Sequence, residues 1–245
     1  MKKTGEQLNQ FLKTHRVFHT GELEQCCSVS GYHSRNLLAK LSRERRIKRL
    51  RNQLYSTLPE QVYEQSFMPP ALLVAAKSTD DSVLAYQSAL AFYGMSRNTQ
   101  AAHSFLTRHR LKPYEWNHTV FKPCIPPRKV TQQNDFGVMD AQAWDTPVRV
   151  VTKERLLVDL LDRLDLSGGW EEICNAFQYE DGLNYQLVLD YLRLLDNPAA
   201  AGRVGFFLNR FQHSMHVPEE VLTQVEALKP VHAEHFFRND RRGTL

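Results

Sequence analysis

Between Ser34 and Thr57 the chain reads SRNLLAKLSRERRIKRLRNQLYST, and its apolar spacing changes midway. Up to Arg43 the spacing is helical. With Leu37 at zero and about 100° per residue, Leu41, Ser34 and Leu38 fall at about 40°, 60° and 100°, forming one buried side. Beyond it, RRIKRLRNQLYST is β-compatible and broken at Arg51-Asn52-Gln53, as a two-stranded wing would be. A helix with one apolar side, followed at once by a hairpin, needs other elements to cover that side. The preceding residues supply them. Leu8, Phe11 and Leu12 give a stripe on a helix starting near Gly5. In FHTGELEQCCS, Thr20 is placed to accept a backbone N–H as N-cap, with Leu23, Cys26 and Cys27 turned inward. Ser28 or Ser30 then caps the third helix. The expectation is a winged helix-turn-helix DNA-binding domain over residues 1–60.

The side of the third helix opposite its apolar residues collects Tyr32, Arg35, Asn36, Ala39 and Arg43, with Lys40 beside them. In a major groove arginine bridges guanine, asparagine bridges adenine, and a small residue in mid-helix permits close approach. Arg45, Arg46, Lys48, Arg49 and Arg51 continue the positive surface into the wing, where phosphates would run. Arg35 to Arg51 holds eight Lys and Arg against one Glu, so a chain of net charge +4 carries +7 there and −3 elsewhere. The positive charge is local. A solvated helix face is the plain alternative. A membrane-surface helix would want large apolar residues opposite its charges and no tertiary packing. The run's position at the third helix and wing of an otherwise acidic chain favours duplex DNA.

LPEQVYEQSFMPP, with Pro59 and the Pro69-Pro70 pair, reads as a boundary. Residues 65–245 are expected to form a larger mixed α/β domain, a central sheet flanked by helices, making the whole chain α+β. DDSVLAYQSALAFYGM reads as one helix: Asp81 or Ser82 caps it, Leu84, Ser88, Ala89 and Phe92 are buried, and Gly94 stops it. AHSFLT, NHTVFK, FGVM and PVRVV then read as strands. TKERLLVDLLDRL with Thr152 as N-cap, GWEEICNAFQY, LNYQLVLDYLRLL, PAAAGRVGFFLNRF after Asn197 and PEEVLTQVEAL read as helices.

Four cysteines (Cys26, Cys27, Cys124, Cys174) show no C-x-x-C spacing, which argues against a disulfide framework and a tetrahedral zinc site. The N-terminal MKKTGEQLNQFLKTH lacks the apolar core of a signal peptide, and no stretch approaches the roughly 20 apolar residues of a membrane span. A reduced, cytoplasmic protein is expected. P-loop, dinucleotide-binding and nucleophile-elbow motifs are missing from the sequence. Asp159, Asp162 and Asp165 recur at three-residue spacing, but Arg155 and Arg163 are near enough to pair with them on an ordinary exposed face. His213 with His216, and His232 with His235, have H-x-x-H spacing but no evident third zinc ligand. The chain is therefore read as a non-enzyme without catalytic residues, metal or cofactor. Two other readings stay open: a stand-alone winged-helix regulator whose larger domain senses a ligand or partner, and a DNA-targeted nuclease.

Together with this N-terminal module, LAYQSALAFYGM, VRVVTKERLLVDLL and AAAGRVGFFLNR resemble the AbiEi-type antitoxins of bacterial abortive-infection toxin–antitoxin systems. The likeness spans nearly the whole chain and lies in the order and spacing of these segments. It implies a winged helix that represses its own operon by binding operator DNA, with inverted repeats taken up by two copies. It also implies a C-terminal domain that counteracts a nucleotidyltransferase-like toxin without a stable complex. Lys153, Arg155, Arg203 and Arg210 are its basic candidates for the antitoxin role. Two departures stand out. Where the family often has Gly after the recognition helix and at the wing tip, this chain has Arg45 and Gln53, and Gly serves where φ is positive. The family pattern would also run a short way beyond Leu245.

Overall fold

The computed structural model describes residues 2–59, 67–97, 102–132 and 135–229, which form a mixed α+β chain. The expected boundary at 60–65, and His232 and His235, lie outside the described residues. The chain falls into two compact units: Met1–Leu84 with Ala101–Ile125 and Asp140–Val150, and Ala85–Gln100 with Pro126–Met139 and Val151–Leu245.

The first unit begins with α1 (Lys2–Thr14), β1 (Val17–His19), α2 (Thr20–Cys27), α3 (Tyr32–Arg43), β2 (Ile47–Arg51) and β3 (Leu54–Thr57). The three strands pair antiparallel in the order β1-β3-β2. Phe11, Phe18, Leu23, Cys27, Leu38, Leu41 and Ile47 form the core beneath them, with Leu8, Leu12 and Leu37 packed around it. Local details differ from expectation. The N-cap of α2 is His19, the last residue of β1: it is already extended (φ −85°, ψ 147°), its Nδ1 accepts the Gly21 N–H, and the Glu22 carboxylate accepts the His19 N–H. Thr20 is the first helical residue. Ser28 caps the C-terminus of α2 in the left-handed region (φ 52°), so α3 starts from Gly31 without a side-chain cap. Cys26 faces solvent, and only Leu23 and Cys27 of α2 are buried.

The sheet that follows has six strands in the order β6-β7-β5-β4-β9-β8: β4 (Val83–Leu84), β5 (Ala102–Leu106), β6 (Tyr114–Trp116), β7 (Thr119–Cys124), β8 (Val138–Ala143) and β9 (Thr146–Val151). It is mixed. β4 runs antiparallel to β5 and parallel to β9, and β5 runs parallel to β7. Beside β4 lies α4 (Ala71–Ala76), whose Leu72 to Ala76 are all buried. Here the single helix expected from Asp81 is wrong in its first half. Val83 and Leu84 are a central strand, and only α5 (Gln87–Phe92), in the second unit, is helical, ending at Gly94 with φ +69°. A short apolar run buried on both faces cannot be told from a helix by spacing.

The second unit is helical. α6 (Arg128–Gln132), α7 (Lys153–Asp162), α8 (Leu164–Ser167), α9 (Trp170–Phe177), α10 (Tyr185–Leu195), α11 (Pro198–Arg210) and α12 (Glu219–Glu226) complete it. Leu156, Leu157, Val158, Leu160 and Leu161 are fully buried, so α7 is enclosed on nearly every side, with α10 and α11 packed on it. Thr152, Asn184 and Asn197 cap α7, α10 and α11 through their side-chain oxygens, and Pro198 opens α11. Among the described residues no helix is long and apolar enough to cross a membrane.

Candidate nucleic-acid interface

The spacing of Ser34, Leu38 and Leu41 buries one side of α3 and thereby turns the other outward. Tyr32 is 67% exposed, and Arg35, Asn36, Ala39, Lys40 and Arg43 are exposed with it. The arginines of this strip bond to their own helix: Arg35 Nε donates to the Gly31 carbonyl and Arg43 Nε to that of Ala39, each at 3.4 Å. Lys40 has a long surface pairing with Glu44, 3.8 Å.

The wing residues divide. Arg45 and Arg49 are exposed, and Arg49 lies across the hairpin tip, donating to Arg51 O and Asn52 Oδ1. Arg46, Lys48 and Arg51 are half-buried and committed to the protein. Arg46 Nη2 donates to Asn9 Oδ1 (2.7 Å) and Lys48 Nζ to the Phe67 carbonyl (3.4 Å). The Arg51 guanidinium stacks 3.9 Å from the centre of the Tyr114 ring on β6. Arg45 and Gln53 both adopt positive φ, 54° and 60°, at the two positions where glycine was expected. The turns thus keep a left-handed geometry without the residue that favours it.

The basic candidates of the second unit have other work. Arg155 is 2% exposed and belongs to the interior, and Asp159 is buried with it rather than lying on an exposed face. Arg155 Nε donates to Asp159 Oδ2 (3.1 Å) and Nη1 to the Phe136 carbonyl (2.8 Å), while the Tyr191 hydroxyl donates to Asp159 Oδ1 (2.6 Å). Burial works against the guanidinium's charge, but Asp159, Tyr191 and Tyr86 together hold Arg155 above its ordinary value. Gly137, at φ +68°, passes so close that a Cβ there would come within 2.9 Å of Arg155 Cβ. Arg203 closes the end of α7 through the Leu161 carbonyl (2.6 Å) and Asp162 Oδ1 (3.3 Å). Lys153 pairs with Glu180 at 2.6 Å, and Arg210 is exposed beside Phe211. His213 and His216 are both exposed.

Sequence reasoning passed over the loop between β5 and β6, TRHRLKP, as an ordinary turn. Arg108, His109, Arg110 and Lys112 are all exposed there. The three basic residues in five positions were the signal, diluted by the proline and by the strands on either side. Asp81 anchors this loop, accepting from Thr79 Oγ1, Thr107 Oγ1 and the Arg108 N–H, while His109 Nε2 lies 2.8 Å from Asp80 Oδ1. Burial penalises the Asp81 carboxylate, yet these three donors hold its pKa below the usual range. Asp80, Asp81 and His109 each offer one metal-ligating atom within 4.8 Å of the others, but the lone pairs of Asp81 are largely occupied by the loop.

No protein-family model matches the chain, and no curated protein does. Among solved structures it is similar to the RV2827C protein from Mycobacterium tuberculosis: 15% of residues are identical, with 94% of this chain and 83% of that one covered, at a TM-score of 0.51. At that identity the likeness is one of fold.

Proposed function

We propose that the chain is a DNA-binding antitoxin. Its N-terminal residues 1–60 form a winged helix-turn-helix that holds duplex operator DNA and represses the chain's own toxin–antitoxin operon. Residues 65–245 counteract a cognate nucleotidyltransferase-like toxin, without a stable complex. The winged-helix reading is supported by the order helix, strand, two helices and hairpin, and by strand order β1-β3-β2. The observation that carries DNA binding is the exposed strip of α3: among the described residues no carboxylate pairs with Arg35, Arg43, Arg45 or Arg49, and desolvating an unpaired cation against phosphate breaks no existing ion pair. The antitoxin role rests on the sequence resemblance.

The test is direct. Binding of the full chain to a duplex from upstream of its own gene should weaken with salt at a log–log slope of roughly −4 to −5, as for about five neutralised phosphates. Co-expression with the product of the adjacent gene should relieve that protein's toxicity. A chain that binds no duplex, or a neighbour that is harmless alone, overturns the corresponding half.

One observation favours a second reading, a ligand-sensing regulator. A cleft of about 440 Å³ within the first unit is lined by Glu22 and Gln25 of α2 and by Lys77, Asp140 and Arg149. A small ligand seated there would touch the helix that supports α3. A DNA affinity that responds to small metabolites and not to the neighbouring gene would favour it.

A further inference from the structure

We propose that the β5–β6 loop, Arg108 to Lys112, is a second DNA-contacting element that grips backbone phosphates beside the wing; this rests on the DNA-binding reading above. Both ends of the loop are fixed within the unit that carries the wing. At its start, Thr107 N–H donates to the Cys124 carbonyl (3.0 Å), and Asp81 holds the Thr107 hydroxyl and the Arg108 N–H at 2.6 and 2.7 Å. At its end, the Tyr114 hydroxyl meets Ser78 Oγ at 2.6 Å and its ring carries the Arg51 guanidinium. Arg51 is the last residue of β2, immediately before the wing tip. On the other side of that tip, the Gln53 carbonyl accepts the Thr20 N–H at 2.8 Å, fixing the hairpin to the start of α2. The loop is therefore rooted beside the wing's tip.

The charges decide what it meets. The carboxylates nearby include Asp80, Asp81 and Glu115, and Glu22, which pairs with Lys77. Asp81 is occupied by its three hydrogen bonds, Asp80 by His109, and Glu115 sits in the next hairpin 4.0 Å from His118. Arg110 and Lys112 are exposed, and among the described residues no carboxylate pairs with either. Pro113 restricts Lys112 to extended backbone, so the side chains are presented from a stiff segment. Backbone phosphates flanking the wing are the polyanion this geometry reaches. Base edges are not involved, so the loop adds affinity without sequence preference.

The test compares the full chain with the double variant Arg110→Ala/Lys112→Ala on two duplexes, one from upstream of its own gene and one scrambled, over a salt series. Removing two phosphate contacts should flatten the log–log slope by roughly 1.8 and weaken binding at 0.1 M salt by roughly 60-fold, equally on both duplexes. Arg110→Lys, which keeps the charge, should stay within roughly 2-fold of the parent. An unchanged slope in the double variant, with the parent binding normally, overturns the loop's role and leaves the α3 reading standing. A weaker affinity at unchanged slope also overturns it, since that is damage and not lost phosphates. Failure of the parent to bind either duplex sinks both.

Discussion

Arginine in this chain lives under two opposite regimes. On α3 and the wing, Arg35, Arg43, Arg45 and Arg49 stand in solvent and bond at most to carbonyls and amides of their own segment. In the helical unit, Arg155 is enclosed with Asp159 and Tyr191, and Arg203 is spent on the end of α7. A solvated guanidinium costs little to redirect toward a phosphate. An enclosed one holds other groups in place, and removing it exposes a buried charge. Basic residues are therefore informative about partners only where the fold leaves them unpaired.

The largest effect should come from breaking the enclosed side of the contrast. Arg155→Met keeps the length and deletes the charge, leaving Asp159 buried without its cation. A loss of about 3–5 kcal/mol is expected, read as a lower urea midpoint. Asp159→Asn added to it should recover part of that loss, because the uncompensated carboxylate is gone. An Arg155→Met protein as stable as the parent would erase the distinction. On the exposed side, Arg35→Ala or Asn36→Ala should leave stability within about 0.5 kcal/mol of the parent. Each should lose about 1–3 kcal/mol of discrimination between operator and random duplex. Equal losses on both duplexes would show that this strip does not face base edges. Lys40→Ala and Arg43→Ala should instead flatten the salt slope by roughly 0.9 each.

A titratable group sharpens the comparison from within the first unit. His103, on β5, stacks on Phe121 with ring centres 5.9 Å apart, and its buried Nδ1 has no partner among the described residues. Burial pushes its pKa below the ordinary 6.5. The unfolded chain takes up a proton as pH falls through 6.5 while the folded chain resists it, so stability is lost from there down to the lowered value. The slope is at most about 1.4 kcal/mol per pH unit for one histidine. Unfolding at pH 7.5 and pH 5 should differ less in His103→Phe than in the parent. An identical pH dependence would mean the ring is already solvated.

The exposed strip of α3 was legible because one helix turned between a core and water follows a single period, and Ser34, Leu38 and Leu41 obey it. Thr152, Asn197 and Pro198 were legible for the same local reason: a cap is settled by its neighbours within one turn. What escaped depended on distant residues. Val83 and Leu84 become a strand only because β5 and β9 flank them. His19 displaces Thr20 as N-cap because its pairing with β3 already holds it extended, so the helix starts one residue earlier than expected. Arg155 reads like any helix-start cation until Asp159, Phe136 and Tyr191 close around it. The TRHRLKP loop is tied to the wing by Tyr114 beneath Arg51, a contact between residues 63 positions apart.

The smallest effect probes a residue that belongs to both regimes. Arg45 is exposed and basic like the strip of α3, yet its backbone sits at φ 54°, where a side chain costs about 1 kcal/mol or more. Arg45→Gly relieves that strain and gives back part of it, because glycine loses more freedom on folding. The net should be a gain of about a few tenths of a kcal/mol. If the guanidinium also meets a phosphate, the same change weakens DNA binding roughly 8-fold at 0.1 M salt and flattens the slope by roughly 0.9. Gln53→Gly is the control at φ 60°: it relieves the same kind of strain but loses the side-chain bond to His19, so stability should hardly move, and no phosphate contact is lost. Stability and affinity moving in opposite directions at Arg45, and neither moving at Gln53, would mean that this turn keeps a costly arginine for the duplex. Should Arg45→Gly bind as the parent does, the residue is tolerated there rather than used, and the contacts made from α3 end at Arg43.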